Sequence, residues 1–219
     1  MTDAKPAGRF GLLLLVAAAL AFLILAKGAW SSENTLPLPV DSSQLSGYYS
    51  GNDHYAFSLR PEYAEQSLSF NDQEAKVEVK CPHSYCIVKY AKPSSYYEIG
   101  RFYLDGYFYK LIIYNSEFEF SSALFFQLNS YDPGGRLLDA LLLESRFAFE
   151  DIQQFAEFRI DPERIFIDRY LTQVIEIING GDLGQAIENP IPKVYCREQY
   201  KIDHGFFKLI SKTDLADEL

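Results

Sequence analysis

Phe102-Tyr103-Leu104-Asp105-Gly106-Tyr107-Phe108-Tyr109 is the stretch on which the fold turns. Asp105-Gly106 suits the two central positions of a tight hairpin, where both residues take positive φ. Such a turn sets Leu104 against Tyr107 and Phe102 against Tyr109, apolar against apolar, so turn chemistry and hydrophobic pattern choose one register. Outward from it the same grammar recurs. Asp132-Pro133-Gly134-Gly135 separates Leu128–Tyr131 from Arg136–Leu143, and Asp203-His204-Gly205 precedes Phe206–Ile210.

The apolar period between these turns is two. Leu124, Phe126 and Leu128 alternate with Phe125, Gln127 and Asn129; Ala156, Phe158 and Ile160 alternate with Glu157 and Arg159. Val194, Cys196 and Tyr200 alternate with Arg197, Gln199 and Lys201. Alternation of this kind marks strands with one buried face, and 16 tyrosines with 17 phenylalanines suit a pleated surface. Only Pro61–Phe70 reads as a short helix, opening on a proline in its first turn. The expected fold is all-β with minor α: an antiparallel meander forming a sandwich or a partly closed barrel, with one N-terminal transmembrane or signal helix.

That helix is the uncharged run Phe10–Ala26, behind Lys5 and Arg9. Its length lies between a signal peptide and a membrane span. Cleavage could fall at Ala29-Trp30-Ser31 or Ala26-Lys27-Gly28. The Leu-rich length and an interfacial aromatic at Trp30 favour an uncleaved anchor, with Phe10, Leu15, Leu20 and Ile24 in the lipid and the N-terminus cytoplasmic. No cysteine precedes Cys81, which excludes a lipid attached beside the run. The domain reading is therefore an anchor at 1–30, an extended Ser/Pro-rich linker at 31–46 and a β-rich domain at 47–219. The expected location is the bacterial inner membrane, single pass, with the domain in the periplasm. Secretion after signal cleavage is the alternative, or the ER lumen if Ala216-Asp217-Glu218-Leu219 acts as a retrieval signal.

Residues 31–219 hold 17 basic and 29 acidic side chains, a formal net charge of −12. Such a surface disfavours nucleic acid, whose affinity depends on Lys and Arg; it suits a basic protein partner, and equally serves only to keep an aromatic-rich protein soluble.

Cys81 and Cys86 flank a four-residue loop between Lys76-Val77-Glu78-Val79-Lys80 and Ile87-Val88-Lys89-Tyr90. Pairing the flanks as a hairpin sets Cys81 opposite Cys86, Val79 opposite Val88 and Val77 opposite Tyr90. A disulfide is the first reading, suited to an oxidising compartment. Two reduced thiols come second, and a metal held with His83 third, because structural zinc takes four ligands. Cys196 reads as a buried free thiol.

Signatures of catalysis are missing from the sequence. It contains no nucleophile elbow, phosphate-binding glycine loop or zinc-binding helix motif, and His54, His83 and His204 all sit in turn-like stretches. No catalytic, cofactor-binding or metal residue is assigned, and no cofactor is expected. Glu117 and Glu119 share a strand face about 6–7 Å apart. Phe118 and Phe120 fill the other face, so the pair reads first as the solvated side of a half-exposed strand, and otherwise as an acidic binding face or the carboxylate pair of a hydrolase.

The stretches Ser130–Asp139, Phe158–Leu171 and Tyr200–Phe207 resemble a family of uncharacterised bacterial exported, β-rich envelope proteins with Tyr-Asp-x-Gly-x-Leu hairpins. The likeness covers the C-terminal half. An extra residue at Pro133-Gly134 and the missing lipid-attachment cysteine depart from its pattern. The resemblance implies a β-rich exported domain and supplies no active site. The functional expectation is a membrane-anchored, non-catalytic periplasmic binding module. It would act as an immunity protein or inhibitor of a basic envelope-targeted toxin or hydrolase. The alternatives are an assembly factor of an envelope complex or a carboxylate-dependent hydrolase.

Overall fold

Three tight turns set the framework of the computed structural model, which describes residues 34–52, 56–118, 121–149, 151–178 and 182–215. Asp105 (φ 50°) and Gly106 (φ 83°) form the hairpin read from the sequence, and Leu104 pairs with Tyr107 and Phe102 with Tyr109. His204 (φ 50°) and Gly205 (φ 82°) repeat it between Asp203 and Phe206. In the longer turn, Asp132 Oδ1 accepts from the amides of Gly134 and Arg136, each at 2.9 Å.

The unit Leu36–Leu219 is built on an open, mostly antiparallel sheet with no closed barrel among the described residues. Its strands in chain order are β1 (Val40–Asp41), β2 (Tyr49–Asn52), β3 (Ala56–Leu59), β4 (Leu68–Ser69), β5 (Ser95–Leu104), β6 (Tyr107–Phe118), β7 (Ser121–Tyr131) and β8 (Leu137–Phe149). There follow β9 (Ile152–Ile160), β10 (Arg164–Gln173), β11 (Ile175–Ile177), β12 (Leu183–Ala186), β13 (Lys193–Asp203) and β14 (Phe206–Asp214). Across the main sheet the order is β14-β13-β10-β9-β8-β7-β6-β5-β4, with β1 also paired to β9; β2-β3 and β11-β12 form separate hairpins. One cluster built on both halves of the sheet forms the main core, including Leu111, Phe126, Leu143, Phe158, Ile167 and Phe207.

Several expectations change. The helix α1 (Pro61–Ala64) keeps its proline start but ends after one turn. Phe70 instead packs its ring on Tyr96 and Tyr114, with centroids 4.7 and 5.5 Å apart. The stretch 31–46, read as a spacer, belongs to the fold from Leu36 onward. The Leu36 amide donates to Arg101 O, Val40 pairs with Ile160, and Leu45 is buried in a 3₁₀ turn. Apolar burial outweighs the proline and serine content there, which stands at edges and turns where those residues are tolerated. The extended pairing of 76–80 with 87–90 does not form. Both flanks contain 3₁₀ turns (Glu74–Lys76 and Val88–Tyr90), and Lys80 makes a parallel bridge to Leu141. Nor has β7 a solvent face: Phe125, Gln127 and Asn129 are as buried as Leu124, Phe126 and Leu128. The segment 70–93 covers that face as a cap. On β13 a bulge shifts the alternation, so Tyr195 is buried and Val194 only half so.

The strand β8 bends between two partners. It pairs with β7 from Leu137 to Arg146, and with β9 only from Phe147 to Phe149. Where β8 and β9 part, their open edges would strand backbone groups in the interior, and side chains take the place of the missing strand. Arg169 donates to the carbonyls of Leu142 (3.0 Å) and Leu143 (3.3 Å). Glu144 accepts from the Ala156 amide, and Ser42 Oγ from the Phe158 amide.

The run Phe10–Ala26, with Leu15, Leu20 and Ile24, and Trp30 beyond it, lies outside the described residues. So do His54, Glu119 and Ala216–Leu219. Among the described residues no helix is long and apolar enough to cross a membrane.

Candidate functional site: the cavity beneath the disulfide-bonded cap

The segment 70–93 has little regular structure, so what holds it to the sheet is side-chain chemistry. Glu74, in the first 3₁₀ turn, is buried and reaches the sheet face. It accepts from the hydroxyls of Tyr131 and Tyr96, and Lys110 Nζ stands 3.7 Å away. The chain of bonds continues through Asn129 and Gln127 to the Tyr114 hydroxyl. Burial first, and then the Glu74 carboxylate, push the Tyr131 and Tyr96 phenols well above their ordinary range. They act as donors at every physiological pH. This row occupies the supposedly outward positions of β7, which explains how polar residues there escape solvent at acceptable cost.

Lys80 fastens the other end of the cap. Its backbone bonds to Ala140 O and the Leu142 amide, and its ammonium donates to Asp139 and, at 2.8 Å, to Phe207 O. Asp139 also accepts from the Phe207 amide at 2.8 Å. One lysine thus joins the cap, β8 and the start of β14.

Between these two attachments lies a cavity of about 1050 Å³. Phe70, Val77, Val79, Val88 and Ala91 come to it from the cap, and Tyr114, Tyr200, Phe207 and Leu209 from the sheet. Its polar contributors are Glu74, Glu78, Lys80, Lys89, Lys92 and Gln127. Glu78, Lys89 and Lys92 are exposed, two lysines against one carboxylate, whereas Glu74 and Lys80 are occupied in holding the cap. The volume is at the upper end of what small-molecule sites offer.

Cys81 and Cys86 stand in the wall of this cavity and form a disulfide, with their Cα atoms 5.9 Å apart. His83, inside that loop, is buried. Its Nε2 lies 3.0 Å from Cys81 Sγ and its Nδ1 3.1 Å from the Tyr195 hydroxyl. Burial, then the positive charges of Arg169 and Lys212, lower its pKa to about 2, so the imidazole is neutral.

Behind the cavity Arg169 and Glu198 form a fully buried pair, Nε to Oε1 at 2.9 Å and Nη2 to Oε2 at 3.1 Å. Burial works against the guanidinium charge, but the Glu198 carboxylate outweighs it and Arg169 stays above its ordinary pKa. Tyr200 Oη and Cys196 Sγ also donate to Glu198. A second inward carboxylate, Glu144, is bonded to Arg146; burial raises its pKa, and Arg146 offsets part of that rise. Arg146 lies over the rings of Tyr49, Phe57 and Phe155.

The structure treats the sequence candidates unequally. Cys81 and Cys86 come together, and Cys196 is the buried free thiol. Glu117 is exposed near the end of β6, in register with Ser122, and Glu119 falls outside the described residues. Sequence reasoning missed Arg169, Glu198, Glu74 and Lys80. A signal was present: Arg169 has the parity of Ile165 and Ile167, and Glu198 that of Cys196 and Tyr200. A charge at an inward position of a strand implies a buried partner.

No family model, curated protein or solved structure matches the chain.

Proposed function

We propose that residues 36–219 form a non-catalytic binding module of the bacterial envelope. Its two half-sheets stack as a sandwich, and its ligand enters the cavity beneath the 70–93 cap. The cavity is the observation that carries this reading. Its apolar walls suit a hydrocarbon body, and the exposed Lys89 and Lys92 suit an anionic end, which together describe an amphipathic anion such as an acyl chain with a carboxylate. The other charges nearby do structural work: Glu74 and Lys80 hold the cap, while Arg169 and Glu198 satisfy the parted edge of β8.

Titration with a fluorescent acyl-chain probe tests the proposal. One equivalent should bind, a long-chain carboxylate should displace it, and Ala91→Trp should weaken uptake by placing an indole among the lining residues. Absence of binding, or binding unchanged in a folded Ala91→Trp protein, overturns it.

A second reading rests on the net charge of −12 over residues 31–219: the acidic surface holds a basic protein, as an immunity protein or inhibitor would. That complex should dissociate with rising salt and be indifferent to Ala91→Trp, which separates it from the first reading.

A further inference from the structure

Two sulfur atoms and one imidazole nitrogen converge at the tip of the cap. The ligand atoms of Cys81, His83 and Cys86 lie within 4.8 Å of one another. A tetrahedral zinc site with bonds of about 2.3 Å to sulfur and about 2.0 Å to nitrogen has ligand-to-ligand edges of about 3.6–3.8 Å. The distance of 3.0 Å from Cys81 Sγ to His83 Nε2 is shorter than such an edge and the two sulfurs are bonded, so the three donors reach the right spacing by moving apart once the disulfide opens. His83 is buried and its second nitrogen is held by Tyr195, 112 residues away in sequence. That is the outer-sphere hydrogen bond that fixes the tautomer and ring direction of a ligating histidine. Both cysteines are only half-buried and the loop tip, Ser84-Tyr85, is exposed, so a reductant in solution reaches the bond.

We infer that Cys81, His83 and Cys86 form a masked site for one thiophilic d¹⁰ cation of the zinc class, opened when the disulfide is reduced. A dithiol supplies two electrons and two protons: the Cys81–Cys86 bond breaks, two thiols form, and the dithiol becomes its own disulfide. The cation then displaces both thiol protons and takes two thiolates and the neutral His83 Nε2. A fourth position stays open to water or to a donor from outside. Spacing alone ranks metal last here because a closed structural site needs four protein ligands; three with an open position is the pattern of reactive zinc sites. Cys81 and Cys86 stand in the cavity wall, but the three donors are complete without any ligand in the cavity.

The test uses the full chain carrying Cys196→Ser, so that only the pair contributes thiolates. Cadmium is titrated into oxidised and phosphine-reduced protein, and thiolate-to-metal charge-transfer absorption is read. The reduced protein should bind one equivalent and the oxidised protein none. His83→Ala should weaken binding at least tenfold while keeping the thiolate band. Tyr195→Phe, which removes one hydroxyl and leaves the ring, should weaken it about 10–100-fold. If the reduced protein shows no stoichiometric charge-transfer band, or if His83→Ala and Tyr195→Phe both bind as tightly as the parent, the inference fails.

Discussion

Replacing Arg169 by methionine puts the account of the parted strands at risk. The guanidinium is fully buried, bonded to both Glu198 oxygens and to the carbonyls of Leu142 and Leu143. Its loss leaves the Glu198 charge unpaired in the interior, a change that costs about 3–5 kcal/mol. Each orphaned carbonyl adds about 1–3 kcal/mol unless water enters. A net loss of at least about 4 kcal/mol is expected, a large share of the roughly 5–15 kcal/mol that holds a domain together. Glu198→Leu alone should cost about as much, because it strands the guanidinium and the Tyr200 hydroxyl. The double variant Arg169→Met/Glu198→Leu removes both charges and keeps only the penalty of the uncapped groups. Its loss should fall short of the sum of the singles by more than about 2 kcal/mol. Urea unfolding at neutral pH, with the disulfide intact and followed by circular dichroism, gives all four corners of the cycle. Singles costing under about 1 kcal/mol, or a double equal to their sum, would refute the claim that this pair seals the open edge.

Other outcomes follow from the same structure. Gly205→Ala would place a Cβ 2.7 Å from Leu138 and 2.8 Å from Tyr107 at φ +82°, and should cost well over the roughly 1–2 kcal/mol of a left-handed residue alone. Gly106→Ala, at φ +83° with open space around it, should cost only that strain; thermal melts compare the two. Burial first, then the Glu198 and Asp214 carboxylates, push the Cys196 thiol up to about 12. Native protein, its disulfide intact, should therefore resist alkylation at pH 8 until denatured. Because the folded pKa lies above the unfolded value near 9, this group's contribution is complete below pH 9 and drains away as pH climbs toward 12; Cys196→Ala should lack that alkaline loss. Cleaving Cys81–Cys86 frees a loop of only a few residues, so chain entropy puts the cost near 2 kcal/mol. Hydrogen exchange should rise in 70–93 more than in β6 and β7.

The hairpins were legible because their chemistry is local: Asp105-Gly106 and His204-Gly205 need nothing beyond their own φ values and flanking pairs. The disulfide was legible for a related reason, since five residues of separation bring the two cysteines within bonding range of each other. The cap was not. The alternation Val77-Glu78-Val79 looks like half a hairpin, yet Val77 packs beside Phe108, Tyr131 and Leu137, and Val79 beside the cluster of Ile112 and Tyr114. The period of two reported contact with a sheet surface rather than with a sequence neighbour. Gln127 and Asn129 misled in the same way, because polar residues on a strand are buried when a separate segment covers them and sheet neighbours such as Tyr114 and Tyr131 satisfy them. Arg169 and Glu198 were legible only as violations of a pattern. What they cap, the carbonyls of β8, depends on where two strands diverge, and that divergence is a tertiary fact.

Leu142 sits where three parts of the chain are tied. Its amide bonds to Lys80 O in the cap, its carbonyl to Arg169 on β10, and its side chain packs in the cluster beneath the cap. Loosening the cap to admit a ligand therefore tugs on the same peptide that the C-terminal strands grip from behind. Occupancy on one side and rigidity on the other become linked quantities, so a ligand that braces the cap should also slow the fraying of β13 and β14.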